Sequence, residues 1–323
     1  MNTTQRSNAS QVSDLTRQQN ITFDSARLKT QQRIHALILM IIIPTLGSIA
    51  AAILAVQTRV STIDISLLLG MYLLTSLGIT LGYHRYFAHR SFQTNTTCKV
   101  ILGILGSMSC QGPLIYWVSS HRRHHRYSDV AGDPHSPYID RNRYLGWWQG
   151  LYHSHMGWTY THELTNSFLF AKDLVLDKTI AIVNKYYYLW VLLGLLIPAV
   201  LEGIITMSLM GVLKGFLWGG LLRLFLVHHS SWTIGSIAHI YGNAPFANDD
   251  SSKNNFWLAL PTLGEGWHNN HHAFPNSAFH GLKWWQFDIT GWVVHILQLF
   301  NLVWDVKRPS LSAIEAKMTQ PLF

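Results

Sequence analysis

Half of the 18 histidines in this chain fall into three short boxes and one isolated position. HRYFAH carries His84 and His89, HRRHH carries His121, His124 and His125, His239 stands alone, and HNNHH carries His268, His271 and His272. Neutral imidazole suits zinc, copper, iron and nickel, and one ion takes about four or five protein ligands, so nine clustered histidines imply two metals. In each HxxHH box the helical repeat of about 100° per residue confines three imidazoles to an arc of roughly 100°, and one helix face can present them all. His84 and His89 would lie about 140° apart on a straight α-helix, so their box must stand at a helix end or a bend. One such histidine alone is most often a surface or hydrogen-bonded core residue; three boxes in one chain make a metal site the better reading.

The composition says what kind of elements must hold these boxes. Charged residues make up 12% of the chain and hydrophobic ones 48%, with 13 Trp and 13 Tyr. That is about half the charge content of a soluble domain and marks an integral membrane protein. Residues 36–56 and 65–82 carry no charge, and each run matches a hydrocarbon core of about 30 Å. A second apolar pair, 186–201 with 203–207 and then 209–227, is interrupted by Glu202, Lys214 and Arg223 and also reads as spanning. Four spans make two hairpins, with short turns at 57–64 and near Ser208. Lys and Arg number 5 in residues 1–35, 11 in 83–185 and 5 in 228–323, against Arg59 alone in the first turn. The positive-inside rule then puts both termini and every histidine box in the cytoplasm. The expected fold is all-α and membrane-integral, with four transmembrane helices in two hairpins under a cytosolic helical cap that carries the metal site. Residues 1–33 read as a polar N-terminal tail, 34–305 as the membrane domain and 306–323 as a C-terminal tail.

Two further apolar segments should not cross. If 100–118 spanned the bilayer, His84 and His121 would end on opposite sides and could not share a site, so this segment is re-entrant or interfacial. Residues 287–304 carry Asp288 and His295 inside their apolar pattern and are expected on the membrane surface. Cys98 and Cys110 form no CxxC pair or disulfide framework and read as packing residues. The net charge of +8 suits anionic headgroups or an acidic redox partner. Nucleic acid is a poor alternative, because the basic residues follow the membrane topology and no nucleic-acid motif accompanies them.

HRYFAH, HRRHHRYSDVAGDPHSP, GSIAHIYG and GEGWHNNHHAFP together resemble the boxes of the membrane-bound fatty-acid desaturases of the stearoyl, delta-9 type, across roughly residues 35–305. The resemblance implies a cytosolic cap that holds two irons, as Fe2+, over a bent acyl tunnel. It carries His84, His89, His121, His125 and His271 over to one iron and His124, His239, His268 and His272 to the other. It also implies the reaction. An unactivated methylene offers neither an acid proton nor a leaving group. A reduced iron pair instead uses O2, with two electrons from an external donor, to take two hydrogens from adjacent carbons of a C16 or C18 chain and release water. Asp129, Asp133, Glu265 and Asp288 are candidate acceptors for the second ring N–H of the ligands, or else helix caps and arginine partners. His135 in GDPHSP is family-like as well, and is expected to pack or hydrogen-bond outside the ligand set.

The sequence departs from the acyl-CoA members of that family in two places. Four residues before the isolated histidine they have an Asn that reaches an iron through water; here it is Gly235, which cannot make that contact. Their coenzyme A contacts, an Arg-Asp pair before HxxHH and an Arg-Lys pair after a following Gly-Trp, are replaced here. Ser119 and Ser120 take the first place and, aligned on Gly157 and Trp158, His162 and Glu163 take the second. At roughly 1–3 kcal/mol per charged hydrogen bond, this loss weakens coenzyme A binding. The expected substrate is therefore a chain esterified in a membrane lipid, as in the bacterial and cyanobacterial acyl-lipid delta-9 desaturases that WGGLLRLFLVHHSSW resembles, with acyl-CoA the alternative carrier. No HPGG haem motif is present, so a separate ferredoxin or cytochrome b5 is the expected electron donor. A membrane di-iron hydroxylase is the nearest rival, and the box spacing with a lone His239 favours desaturation. A histidine-lined metal transporter would place its ligands near the bilayer midplane, not at span ends.

Overall fold

The computed structural model describes residues 21–161 and 163–318. Four helices are long and apolar enough to cross a membrane: Ala26–Gln57, Thr62–Ala88, Tyr187–Thr206 and Leu209–Ile240. They form the two expected hairpins. Ser61 accepts the Asp64 N–H while the Asp64 carboxylate accepts the Ser61 N–H, a capping box that starts the second span. Met207, at φ 47°, ends the third span, and the Ser208 hydroxyl accepts the Gly211 N–H to start the fourth. Lys214 donates to Asp64 at 3.0 Å and to the Arg59 carbonyl at 2.7 Å, which ties the two turns together. One charge that interrupts the apolar pattern thus serves to join the hairpins.

Three spans outrun the bilayer, and two of them carry candidate ligand histidines past it. At about 1.5 Å per residue the 27-residue second span is ~40 Å long and the 32-residue fourth is ~48 Å, against a hydrocarbon core of about 30 Å. The excess carries His84 and His239 beyond the apolar runs that ended at 82 and 227. Arg223 stays inside the fourth span, fully buried, and donates to the carbonyls of Met108, Gly194 and Gly219 at 2.8, 2.7 and 3.2 Å. Those bonds pin the tip of the segment expected to be re-entrant.

That segment is a helical hairpin. Thr96–Met108, about 20 Å long, is too short to cross. The chain reverses where Cys110 and Gly112 take φ values of 61° and 104°, and Leu114–Tyr127 returns toward the second histidine box. Gly78 allows the descending helix to lie against the second span: a Cβ there would stand 2.2 Å from the Leu105 carbonyl carbon and 2.3 Å from the Gly106 nitrogen. Tyr83, Phe87, Phe92, Leu114, Val118 and Ile180 fill the core between these helices and the cap. Ile289–Leu299 is also too short to cross and leaves Trp292, Ile296 and Leu299 exposed, as a helix lying on the membrane surface would.

The tails are more ordered than their composition suggests. Thr22–Phe23 pairs with Leu164–Thr165, Ser25 caps a helix beginning at Ala26, and the first span continues from it without a break, so residues 21–33 are not a loose tail. Residues 1–20 lie outside the described residues. At the other end Leu311–Lys317 is a helix whose Ile314 packs with Phe246 and Ala273, so residues 306–318 belong to the cap. In both cases a local cap and a few apolar contacts order a segment whose overall polarity hides them.

Candidate metal centre

The second span brings its histidines together by changing its winding. Gly78–Ala88 is a π-helix, and His89, its C-cap, donates its N–H to the His84 carbonyl at 3.1 Å. This i→i+5 bond sets residues 84 and 89 one above the other, with ring centroids 4.8 Å apart. The bend required by the HxxxxH spacing is thus a π-segment ending at the second histidine. The returning helix Leu114–Tyr127 presents His121, His124 and His125 near its C-terminus, and the six-residue helix His268–Ala273 presents the third box. His239 sits on the last turn of the fourth span, beyond a break at Ser236.

These elements gather all nine histidines into two groups. One ligand atom from each of His84, His89, His121, His125 and His271 lies within 4.8 Å of the others, and His124, His239, His268 and His272 form a second group on the same criterion. The Nε2 atoms converge: His84 to His271 is 3.0 Å, His89 to His121 2.8 Å, His271 to His125 2.9 Å and His239 to His268 3.0 Å. The Nε2 atoms of His124 and His272 are buried with no hydrogen-bond partner.

Carboxylates fix which nitrogen faces inward. His84 Nδ1 is 2.5 Å from Glu265, His124 Nδ1 3.0 Å from Asp133, His239 Nδ1 2.9 Å from Asp129 and His272 Nδ1 2.6 Å from Asp250. Each of these imidazoles donates its Nδ1 proton outward and keeps a lone pair on Nε2. Such lone pairs repel one another at about 3 Å unless a cation sits among them, so both groups fit a metal ion. Burial first, and then the charge of neighbouring imidazoles, hold His121, His268, His271 and His272 well below the ordinary histidine range, which keeps them in the neutral, ligating form. Burial would raise the Asp133 carboxyl, but His124 beside it holds it below its ordinary value, and it remains an anionic acceptor.

Three of the four candidate acceptors, Asp129, Asp133 and Glu265, do meet a histidine of the two groups. Asp288 does not. It accepts from the buried Arg85 guanidinium at 2.8 and 3.0 Å and caps Ile289–Leu299 through the Gly291 N–H. Arg85 also donates to Glu265 at 3.0 and 3.2 Å, so Asp288 acts on His84 only through two intermediaries. Two residues escape sequence reasoning. Asp250 lies 22 positions before the histidine it holds, in a stretch with no box of its own. His280, fully buried, is 3.3 Å from Glu265 with its ring 4.4 Å from that of His271; its only signal is a further histidine after HNNHH.

Both groups open on one cavity. His84, His121, His124 and His268 face it, and Ser76 and Thr80 of the second span and Val227 and Ser231 of the fourth extend it toward the membrane. Of the residues at the coenzyme A positions, Ser119 is buried, Ser120 is buried in the cavity wall, and Glu163 faces Arg141 at 3.8 Å. His162 is outside the described residues. Gly235 lines the cavity, and the ring of His135 fills the space beside it.

A multi-pass helical membrane protein with two buried histidine groups at one end of a cavity is the class that fold and site define. The chain belongs to the fatty acid desaturase family, whose model matches residues 64–296. It is 47% identical to a hex-5-enoyl-[acyl-carrier protein] acetylenase of Moorena producens, over 93% of this chain and 94% of that one. It is 37% identical to sn-1 stearoyl-lipid 9-desaturases of Anabaena variabilis, over 80% of this chain and 89% of that one, and of Synechocystis, over 76% and 73%. It is an oxidoreductase of that family.

Proposed function

We propose that the chain is an oxygen-dependent fatty-acyl desaturase in which the five-histidine group and the four-histidine group each hold an iron. The observation that carries this reading is the convergence of both groups, with tautomers set by carboxylates, on one end of a cavity that reaches into the membrane. Iron held there supplies the oxidising power that an unactivated methylene requires. The protein's own residues orient and enclose. Glu265, Asp133, Asp129 and Asp250 fix the imidazoles, and the cavity walls align the acyl chain and keep bulk water away. Tyr72 donates to the Pro261 carbonyl at 2.5 Å and meets the Ser230 hydroxyl at 2.8 Å, closing the wall one helical turn beyond Ser76. The charge distribution supports a cytoplasmic active site and termini. Electrons come from a separate ferredoxin or cytochrome b5, for which the net charge of +8 suits an acidic docking partner.

The substrate has two finer readings. The stearoyl-lipid relatives support a cis double bond at carbon 9 of a C16 or C18 chain esterified in a membrane lipid. The buried Ser119 and Ser120 and the acidic Glu163 agree with poor coenzyme A recognition. The acetylenase relative supports a second reading, in which the same two-hydrogen removal acts on a short acyl group borne by an acyl-carrier protein; its higher identity over nearly the whole chain favours it. The test supplies iron-loaded membranes with O2, a reductant and labelled stearoyl-lipid, stearoyl-CoA or hexenoyl-acyl-carrier protein separately, with acyl transfer blocked. Loss of two hydrogens from the lipid chain at carbon 9 establishes the first reading, and from the carrier-borne chain the second. Gain of oxygen would convert the reading to a hydroxylase, and no turnover of any acyl substrate would overturn it.

A further inference from the structure

A groove runs along the surface helix Ile289–Leu299, and none of its lining residues belongs to the histidine cavity. Its walls include Phe279, Lys283, Trp284, Trp292, His295 and Arg308. Two chemistries meet there. Trp284 is 97% exposed, and Trp285, Phe287 and Trp292 around it are exposed as well. Apolar surface gathered in this way marks a face that meets something other than water, and indole rings favour the headgroup level of a bilayer. Trp292 shares its side of the helix with Ile296 and Leu299, the face that lies on the membrane. The second chemistry is fixed positive charge. The guanidinium carbon of Arg308 lies 3.5 Å from the centroid of the Phe279 ring, a stack that sets its plane and leaves its N–H groups to donate sideways. The residue before it is tied down at both ends of its peptide: the Lys307 N–H donates to the Ser91 carbonyl and its carbonyl accepts from the Ala278 N–H, each at 2.9 Å. Gln286 Oε1 accepts the N–H groups of Leu282 and Lys283 at 2.7 and 2.9 Å, fixing the turn that carries Lys283 and Trp284. Among the described residues neither the Lys283 nor the Arg308 side chain has an ion-pair partner, and the carboxylate that lines the groove, Asp288, is claimed by Arg85.

We infer that this groove binds an anionic glycerophospholipid of the leaflet it faces, with Lys283 and Arg308 on the phosphate and Trp284 and Trp292 beside the upper acyl carbons. Charge complementarity selects an anion, since two unpaired cations stand in the groove and its carboxylate is already neutralised. The apolar wall selects a lipid, since a soluble phosphate would satisfy the cations and leave the indoles in water. A lipid seated there anchors the cap to the bilayer through the helix that Asp288 caps. The inference is independent of the two metals and of the acyl substrate, because groove and histidine cavity have no wall in common.

The full chain, purified in detergent and stripped of lipid, is titrated with dioctanoyl phosphatidylglycerol, with dioctanoyl phosphatidylcholine and with inorganic phosphate, and the bound copies are counted by native mass spectrometry. The wild type should hold phosphatidylglycerol at least about tenfold more tightly than phosphatidylcholine, as expected for two cations near a lipid phosphate. The double variant Lys283→Gln/Arg308→Gln should hold one tightly bound phosphatidylglycerol fewer, with its unfolding temperature unchanged. The same number of tightly bound phosphatidylglycerols in variant and wild type would overturn the inference, and so would equal affinity of the wild type for the two lipids. Inorganic phosphate bound as tightly as phosphatidylglycerol would also overturn it, by making the groove a site for soluble phosphate. If the double variant fails to fold, Lys283→Gln alone decides on the same criteria.

Discussion

Glu265→Gln removes one charge and changes almost nothing in shape, yet the neighbours of this carboxylate cannot accommodate an amide. One carboxylate oxygen of Glu265 takes the Nδ1 proton of His84 at 2.5 Å, and the other takes two N–H groups of Arg85 at 3.0 and 3.2 Å. An amide can satisfy only one of the two. If its oxygen stays with Arg85, its NH2 faces His84 Nδ1, and the histidine proton must move to Nε2, 3.0 Å from His271 Nε2 in the heart of the five-histidine group. The lone pair that would ligate the metal is then lost. If the amide turns over, Arg85 meets an NH2 and keeps only Asp288 and the Ala278 carbonyl. The first outcome forfeits one hydrogen bond to a charged group and the second the two that Arg85 makes, each worth about 1.5–3 kcal/mol. At about 1.4 kcal/mol per factor of ten, the first metal should bind roughly 10- to 100-fold more weakly. Anaerobic titration of apoprotein with Fe2+ against a chelator measures this, with the four-histidine group as an internal control. Equal affinity for both ions in variant and wild type would refute the role assigned to Glu265.

Gly78→Val should destabilise the protein by about 1–3 kcal/mol, because its Cβ would overlap the backbone at Leu105 and Gly106; an unchanged unfolding temperature in detergent would contradict the close helix contact. In the metal-free protein, burial and neighbouring imidazoles depress His121, His125, His268, His271 and His272. Their folded values lie below an unfolded value of about 6.5, so the stability they contribute is present above that pH and is lost as the pH falls. The apoprotein's unfolding temperature should drop between about pH 7 and 5, and a flat profile would contradict neutral buried rings. Reporters at the N-terminus, near Arg141 and at the C-terminus should read cytoplasm and one near Arg59 the opposite side; an external reading near Arg141 would mean that Thr96–Met108 crosses.

The spans and the histidine boxes were legible because each rests on a local rule: an uncharged run long enough for a bilayer, and ligands repeated at helical spacing. The re-entrant hairpin followed by elimination, since His84 and His121 had to meet. Other features depend on contacts between distant segments. The π-winding at Gly78–Ala88 shows in the sequence only as an awkward angle between His84 and His89, and its form depends on how the helix packs. Asp250 and His280 join the site through loops whose course no periodicity announces. Asp288 carries the same carboxylate as Glu265, yet Arg85 claims it, and composition cannot distinguish a carboxylate that orients an imidazole from one that neutralises a buried guanidinium. The order of residues 21–34 and 306–318 was hidden for a related reason, since one serine cap and a few apolar contacts outweigh a polar composition.

Anomalous X-ray scattering at the iron edge, from protein loaded with Fe2+ under nitrogen, tests the central claim most directly. Two peaks are expected, one among His84, His89, His121, His125 and His271 and the other among His124, His239, His268 and His272. A single peak, or iron bound outside both groups, would contradict the two-iron account of this chain.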